Sequence, residues 1–275
     1  MSSPFLPLVS IITPVYNGSR FLDALIQSVQ KQDYSFIEHI IIDDGSTDDG
    51  ATINVLKNYS HIRWWSRPNR GQYATMNEGL RAAKGEFVCF ICADDVILPG
   101  SVSTAVHFLS IHPECGGVYG YYGFINSDGM KLNLFQPMRY IPTNIYPYSL
   151  HISHSSLYIR KDVLIQNHLF FKETLRFVGD YFWIVHILKL KLKIGKIKNN
   201  LSMIRIQDQQ TSKTGFYTMR KEMSHVQKQL HISLLGASIF RKLWFLLNLI
   251  NAAKINGIKS SVIIVCERFR MRPEI

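Results

Sequence analysis

The sequence predicts an α/β protein with a central mixed, mostly parallel sheet flanked by helices, followed by a helical C-terminal extension. Two observations lead to this class. Short apolar runs alternate with helix-patterned segments through the first 120 residues, which is typical of βαβ units whose sheet is covered on both faces. From about Tyr217 onward, apolar residues recur at helical spacing, which predicts helices at the C-terminal end.

Each predicted element follows from its local pattern. Strands are predicted where β-branched and other apolar residues run together, and Asp128-Gly129 is a hairpin signal between two of them. The predicted strands are Leu8–Thr13, His39–Ile42, Glu86–Cys92, Val118–Ile125, Met130–Phe135, Ser155–Ile159 and Leu201–Ile206. The predicted helices before the extension are Arg20–Gln32, Gly50–Tyr59, Gln72–Lys84 and Gly179–Leu190.

The basic residues are concentrated in the last third of the chain. The formal net charge is +11, yet residues 186–275 hold 17 Lys and Arg against 4 Asp and Glu, and the rest is close to neutral. With 47% hydrophobic and 19% charged residues the chain can bury a sizeable core, which excludes a largely disordered protein. No RRM, KH or helix-turn-helix signature accompanies the charge, so we expect no nucleic-acid partner.

The C-terminal segment predicts contact with a membrane surface. Apolar residues recur at helical spacing between 239 and 250 beside Arg241 and Lys242, a pattern typical of helices that lie in the membrane interface. The same apolar residues could instead pack on the rest of the protein. No uncharged apolar run approaches the roughly 20 residues that cross a bilayer. We therefore expect a cytoplasmic protein, peripheral on the inner face of the cell membrane.

The four cysteines predict neither a disulfide framework nor a zinc site. Cys89 and Cys92 fall in one predicted strand, where residues three apart point to opposite faces. We expect them to be plain buried thiols, as in a reducing cytosol.

Polar and acidic residues lie at four consecutive strand-to-helix junctions of the predicted sheet, the third of them near a strand whose bounds are not predicted. In open α/β sheets, ligands bind beyond the carboxyl ends of the strands, so these residues mark the candidate site. No GxGxxG or GxxxxGK[ST] motif is present, which argues against a dinucleotide fold or a P-loop enzyme. The four junctions are Thr13–Gly18, Asp43–Asp48, Asn69–Gln72 and Ala93–Asp95.

The adjacent acids Asp94 and Asp95 are the single motif that indicates a function most specifically. Adjacent carboxylates repel each other unless a cation or hydrogen-bond donors compensate. A hard divalent cation accepts carboxylate oxygens and can bridge them to phosphates. Taken alone, this pair could simply end a strand, and Asp43-Asp44 could simply form a turn or cap a helix.

Together these motifs resemble, in order and spacing, those of the family 2 glycosyltransferases, and particularly the bacterial members that build surface polysaccharides. The resemblance covers about residues 8–212 and implies a Rossmann-like GT-A fold. The runs that carry it are Val9–Asn17, Ile41–Asp48, Asn69-Arg70-Gly71 with Asn77 and Gly85-Glu86, and Ala93-Asp94-Asp95 with Pro99-Gly100. Weaker similarity continues through Val118-Tyr119-Gly120, Asp128-Gly129, His154 and Gly179–Trp183.

The resemblance implies an inverting transfer of a sugar from a nucleotide-diphosphate sugar to a hydroxyl of a lipid-linked or growing saccharide acceptor. Asp180 is the implied catalytic base, and Asp95 is the implied ligand of a manganese or magnesium ion. His154 is implied on the acceptor side. The implied nucleotide-sugar contacts are Pro14, Val15, Tyr16, Asp44, Arg70, Asn77 and Asp94.

Two departures from the family pattern leave alternatives open. The first acid of a strict DxD motif is absent, since Ala93 stands between Cys92 and Asp94. The His that often follows the last predicted strand is replaced by Gln207, so Asp208 could serve as a metal ligand instead.

One alternative is a non-catalytic sugar-nucleotide-binding or scaffold subunit of a membrane polysaccharide complex. Another is a nucleotidyltransferase, which would release pyrophosphate. The resemblance implies a GT-A-like glycosyltransferase domain over residues 1–215, and the charge and apolar spacing predict a basic amphipathic helical extension over residues 216–275.

Overall fold

The structure, a computed structural model, describes residues 6–132, 152–190, 192–207 and 215–232. Contacts within the chain divide it into two compact units, Met1–Tyr122 with Ile152–Ile204, and Gly123–His151 with Arg205–Ile275. The α/β class predicted from the sequence is confirmed. The predicted boundary at residue 215 stays a prediction.

The described residues contain nine strands and seven α-helices. The strands are β1 (Val9–Val15), β2 (Ile37–Asp43), β3 (Arg63–Ser66), β4 (Phe87–Phe90), β5 (Val96–Ile97), β6 (Gly117–Ile125), β7 (Lys131–Leu132), β8 (Leu157–Arg160) and β9 (Ile194–Arg205). The helices are α1 (Ser19–Gln30), α2 (Ala51–Lys57), α3 (Gln72–Ala82), α4 (Ser101–Ile111), α5 (Lys161–Gln166), α6 (Gly179–Lys189) and α7 (Phe216–Gln229). A 3₁₀ turn, His154–Ser156, leads into β8.

The first unit is built on a mixed sheet with strand order β3-β2-β1-β4-β8-β6-β9-β5. Strands β1 to β4 pair in parallel, with Val9–Val15 of β1 in register with Ile37–Asp43 of β2. Strand β8 joins β4 and β6 antiparallel, and β9 pairs antiparallel with β5. Because β1 to β4 run in the same direction, the loops after them meet at one edge of the sheet.

Strand β1 is buried along its whole length because helices cover its alternating side chains on both faces. Ile11 belongs to the core cluster that includes Leu22, Leu25 and Ile26 of α1. Ile12 points the other way, toward α3, where a Cβ on Gly79 would lie 2.4 Å from the Ile12 Cγ2 atom. The glycine therefore lets α3 lie directly against β1, which positions the start of α3 beside the sheet edge.

The hairpin predicted at Asp128-Gly129 is confirmed in the second unit. β7 pairs antiparallel with the end of β6, Phe124 opposite Leu132, and Gly129 adopts a φ of 81°, which glycine tolerates best. Helix α7 confirms the change to helix predicted from about Tyr217. The amphipathic pattern between residues 239 and 250 lies outside the described residues. None of the described helices is both long and apolar enough to cross a membrane.

Some element bounds predicted from the sequence were wrong. Strand β9 begins at Ile194, seven residues before the predicted Leu201. The prediction missed the first half of this strand because it is only partly buried and carries polar residues such as Lys196 and Lys198. Strand β4 ends at Phe90, before Cys92. The elements β5, α4 and α5 were not predicted, and β3 was expected without bounds. The strands β3 and β5 and the helix α5 are too brief to indicate a period, and α4 is too uniformly apolar.

His39 is a buried, neutral histidine in the middle of β2. Its Nε2 atom lies 3.1 Å from the Thr13 hydroxyl, and burial, assisted by the charge of His61, lowers its pKa to about 3. The unfolded chain takes up a proton at this residue below about pH 6.5, which the folded protein does not. The contribution of His39 to stability is therefore full above pH 6.5 and declines as the pH falls toward 3.

We expect His39→Gln to remove this part of the pH dependence, because a neutral amide takes up no proton in either state. Urea unfolding between pH 7 and pH 4 should give a shallower decline in the free energy of unfolding for the variant than for the wild type. His107→Gln on the exposed side of α4 is the matched control and should keep the wild-type slope. Equal slopes for His39→Gln and the wild type would contradict this account.

Candidate functional site

The loops after β1 and β2 are hydrogen-bonded to each other. The Asn17 amide donates to the Ser46 hydroxyl at 2.8 Å, and the Thr47 amide donates to Asn17 Oδ1 at 2.7 Å. The Asp44 amide donates to the Val15 carbonyl at 2.8 Å. The first two junctions singled out in the sequence thus form one structural unit.

The Asp44 carboxylate links these two loops to the third. Its Oδ1 accepts from the Arg70 amide at 2.8 Å, and its Oδ2 accepts from the Gly71 amide at 2.9 Å. The Arg67 guanidinium completes an ion pair with the same carboxylate, whose side chain is only 4% exposed. Donors and a cation compensate the buried charge, as a buried carboxylate requires.

Arg67 was missed in the sequence, although it connects Asp44 to α3. Its Nε donates to Glu78 Oε2 and its Nη2 donates to the Thr75 hydroxyl, both at 2.8 Å. Burial alone would lower the pKa of Arg67, but hydrogen bonds to Glu78 and Asp44 raise it. The only signal in the sequence was an arginine directly between a short strand and a proline, which does not identify a partner 23 residues away.

The other predicted nucleotide contacts of this region lie at the open edge of the sheet. Pro14 and Val15 end β1, beyond the ladder with β4, which stops at Ile12. Tyr16 is half exposed, and its hydroxyl lies 3.3 Å from the Thr47 hydroxyl. Arg70 has an exposed side chain. Tyr16 and Arg70 are therefore accessible beside the Asp44 network, whereas Pro14 and Val15 are buried. Contact of these four residues with a nucleotide stays a prediction.

A group of possible metal donors follows β4. Ligand atoms of Cys92, Asp94 and Asp95 all lie within 4.8 Å of one another. Asp95 is buried, whereas Cys92 and Asp94 are half-buried. Cys92 is therefore not the fully buried strand thiol that the sequence predicted, since it lies past the end of β4. Asp208, the other predicted ligand, lies outside the described residues.

Burial raises the pKa of the Cys92 thiol, and the charges of Asp95, Asp94 and Asp180 raise it further. The thiol is therefore protonated in the absence of a cation. A divalent ion inverts this preference, because it stabilises a thiolate and offsets the repulsion between carboxylates. Two carboxylates and a thiol converging on one point are a donor set that fits such an ion.

Asp180 lies in the first turn of α6 and faces the same edge of the sheet. Its Oδ2 lies 3.7 Å from His154 Nδ1, its Oδ1 accepts from the Tyr73 hydroxyl at 3.3 Å, and the side chain is 38% exposed. Burial alone would raise its pKa, but the hydrogen bond and charge of His154, together with hydrogen bonds from the Tyr181 amide and the Tyr73 hydroxyl, lower it. Asp180 is thus an ionised, partly accessible carboxylate.

His154 lies between Asp180 and the metal donors. Its Nε2 atom is 3.5 Å from Cys92 Sγ, while its Nδ1 faces Asp180. The structure therefore brings Asp180, His154 and Cys92 together in one row, although they are far apart in the sequence.

Asn77 stands apart from the other predicted contacts. It is buried in α3, where its Nδ2 donates to the Phe171 carbonyl and to Glu173, both at 2.9 Å, and its Oδ1 accepts from the Phe171 amide at 2.8 Å. The structure gives this amide a part in fixing the segment before α6. A contact between Asn77 and a nucleotide-sugar donor stays a prediction.

A mixed sheet with acidic residues at the ends of its parallel strands is the architecture of GT-A-type glycosyltransferases. The fold matches S. aureus TarS 1-349 in complex with UDP-GlcNAc, with a TM-score of 0.64 at 19% identity over 95% of this chain and 80% of that one. It also matches the mannosyltransferase PcManGT from Pyrobaculum calidifontis in complex with GDP-Man and Mn²⁺, with a TM-score of 0.57 at 17% identity over 97% and 81%.

Residues 10–167 match the model of glycosyl transferase family 2, and the chain belongs to this family. An uncharacterized glycosyltransferase of Rickettsia felis is 34% identical over 142 residues, 51% of this chain and 24% of that protein. The GalNAc(5)-diNAcBac-PP-undecaprenol beta-1,3-glucosyltransferase of Campylobacter jejuni is 37% identical over 103 residues, 36% of this chain and 33% of that protein. The chain spans about a quarter to a third of these two relatives.

We expect Arg67→Met to destabilise the protein, because it removes the cation that faces the buried Asp44 carboxylate. The expected loss is about 3 kcal/mol, between that of one charge-assisted hydrogen bond and that of a buried ion pair. Arg81→Met is the matched control, since Arg81 is 58% exposed and lies 4.0 Å from Glu173. It should cost less than about 1 kcal/mol in urea unfolding. Similar losses for both variants would contradict the central role of Arg67.

Proposed function

We propose that this chain is a metal-dependent, inverting glycosyltransferase that moves a sugar from a nucleotide-diphosphate sugar to an acceptor hydroxyl. One observation carries the proposal: the ionised Asp180 carboxylate lies beside His154, in a row with the Cys92, Asp94 and Asp95 donors. A transferase needs a carboxylate that takes a proton from the acceptor and, close to it, donors for a cation that faces the departing diphosphate. Asp180 is the carboxylate, and Cys92, Asp94 and Asp95 are the cation donors. Membership of glycosyl transferase family 2 supports the same chemistry.

The donor nucleotide binds at the edge formed by the loops after β1, β2 and β3. Tyr16 offers an aromatic face, and Arg70 offers a cation, both accessible. Pro14 and Val15 line the nucleoside pocket from the end of β1. Asp44 shapes this pocket by fixing the amides of Arg70 and Gly71, and its carboxylate is the acceptor for the base. The UDP-GlcNAc and GDP-Man complexes of the structural neighbours support a nucleotide-sugar donor.

Asp95 and Asp94 would hold the divalent cation with the Cys92 thiol as a further donor, and Asp94 would also contact the ribose side of the nucleotide. When bound, the cation stabilises the charge that grows on the leaving diphosphate. A thiol donor favours a softer ion over magnesium, so manganese is the better fit of the two. The Mn²⁺ complex of the mannosyltransferase neighbour supports this assignment.

Asp180 takes the proton from the acceptor hydroxyl while that oxygen attacks the anomeric carbon from the face opposite the diphosphate. A single displacement of this kind inverts the configuration at that carbon. The lowered pKa of Asp180 keeps the carboxylate ionised at neutral pH, as a general base requires. His154 lies at the acceptor side of this carboxylate.

The acceptor is lipid-linked or a growing surface polysaccharide, and the basic C-terminal residues carry the domain of residues 1–215 to the inner membrane face. The undecaprenol-linked substrate in the name of the Campylobacter jejuni relative supports a lipid-linked acceptor. The charge supports membrane contact, since 17 of the 31 Lys and Arg lie in residues 186–275.

We expect Asp180→Asn to lower donor turnover by about 10²- to 10⁴-fold, the usual contribution of a general base. Asp162→Asn is the matched control: Asp162 also lies in the first turn of a helix and also accepts from the next amide, but it is exposed and away from the site. The assay follows release of nucleoside diphosphate from UDP-GlcNAc, UDP-glucose and GDP-mannose with Mn²⁺ and a membrane extract as acceptor.

Three results would overturn the proposal. A wild-type protein that binds donor yet releases no nucleoside diphosphate supports a scaffold subunit instead. Release of pyrophosphate supports a nucleotidyltransferase. A retained anomeric configuration in the product contradicts the single displacement.

We expect Co²⁺ bound at the Cys92, Asp94 and Asp95 donors to show a sulfur-to-cobalt charge-transfer band in the near ultraviolet, because Cys92 ligates as a thiolate. Cys92→Ser should lose the band, and Asp95→Asn should weaken Co²⁺ binding. Cys89→Ser is the matched control, since Cys89 lies three residues earlier and is fully buried. A wild-type spectrum without the band, or a band that persists in Cys92→Ser, would remove Cys92 from the ligand set.

A further inference from the structure

Asp180 is held by more than its own helix. Its Oδ1 accepts from the Tyr73 hydroxyl at 3.3 Å, and Tyr73 lies 107 residues earlier, in the first turn of α3. Tyr73 is only 2% exposed, so its hydroxyl is not simply hydrated like a surface phenol. A buried hydroxyl requires hydrogen-bond partners, and here the Asp180 carboxylate is one of them, beside the backbone amides of Gly179 and Asp180.

The ring of Tyr73 fixes the direction of this hydrogen bond. It stacks on Phe171 with ring centroids 5.6 Å apart, and Phe171 stacks in turn on Trp183 of α6 at 4.5 Å. The ring also lies so close to Gly179 that a Cβ there would be 2.6 Å from Tyr73 Cε2. A ring packed closely against both Phe171 and Gly179 has few alternative rotamers, so the hydroxyl stays in one position.

The start of α3 is itself fixed by the nucleotide side of the site. Gly71 donates its amide to Asp44, and the Thr75 amide closes the first helical turn on the Gly71 carbonyl at 3.0 Å. Tyr73 lies between these two residues. The position of the Tyr73 hydroxyl therefore depends on the loop after β3, which faces the proposed nucleotide-sugar donor.

We propose that Tyr73 is a positioning residue that orients the Asp180 carboxylate relative to the bound donor. The inference rests on the proposed role of Asp180 as the base. The phenol stays protonated and can donate to the carboxylate, because burial and the charge of Asp180 raise the pKa of Tyr73 more than backbone hydrogen bonds from Asp180 and Gly179 lower it. With Tyr73 on Oδ1 and His154 facing Oδ2, the carboxylate plane is held from both sides.

Tyr73→Phe tests this directly, because it removes the hydroxyl and keeps the stacked ring. We expect kcat for nucleoside diphosphate release to fall about 10- to 100-fold, the order of loss that a small misplacement of a reacting group causes. The KM for the donor and the melting temperature should stay at wild-type values. Gly179→Ala, which pushes α6 away from the ring, should lower kcat in the same way.

Tyr59→Phe is the matched control. Its hydroxyl also donates to an aspartate, Asp23, but this pair is remote from the site. It should leave kcat and KM unchanged. In the Asp180→Asn background, Tyr73→Phe should cause no further loss, because a positioning residue acts only through the group that it positions.

Several results would overturn the inference. A wild-type kcat in Tyr73→Phe, a loss that appears only in the donor KM, or an additional loss in the double variant would each exclude positioning by Tyr73. An inactive Asp180→Asn with a fully active Tyr73→Phe overturns this inference and leaves the proposed function standing. A fully active Asp180→Asn, or a wild type that turns over no donor, overturns both.

Discussion

The buried Asp44 carboxylate is the interaction on which the candidate site depends. Three loops follow three parallel strands, and their backbones would otherwise meet only at the sheet edge. By accepting from the amides of Arg70 and Gly71 while pairing with Arg67, Asp44 holds the second and third loops in one arrangement. The first loop joins through the Asp44 amide and Val15. A buried charge of this kind is costly when unpaired, which makes the arrangement specific.

The same constraint extends into α3 and from there to α6. Arg67 reaches Thr75 and Glu78, and the helix that carries them also presents Asn77 to the backbone of Phe171. Side chains on one helix thus fix both the loop after β3 and the segment that leads to Asp180. Packed rings and saturated hydrogen bonds have few alternative arrangements. The loop after β3 and the segment that leads to Asp180 are therefore held in a fixed geometry relative to each other.

Much of the fold could be predicted because its signals are local. Strands β1 and β2 are dense in β-branched residues, α1 has apolar spacing at the helical period, and Asp128-Gly129 is a turn pair. The misses have physical causes. Strand β9 begins in polar, half-exposed residues, and β3 and β5 are too short to show a period. Which strands pair, and the antiparallel insertion of β8 between β4 and β6, depend on long-range contacts that no local pattern encodes.

By itself, the sequence determined the α/β class, the resemblance to family 2 glycosyltransferases and the acidic residues at the strand ends, because each is written in a short run of neighbouring residues. Only the tertiary structure decided which of those residues meet. It joined Asp44 to Arg67, set Cys92 beside His154 and turned Tyr73 toward Asp180. Such contacts follow from the packing of α3 and α6 around the sheet, and packing is a property of the whole fold rather than of any segment.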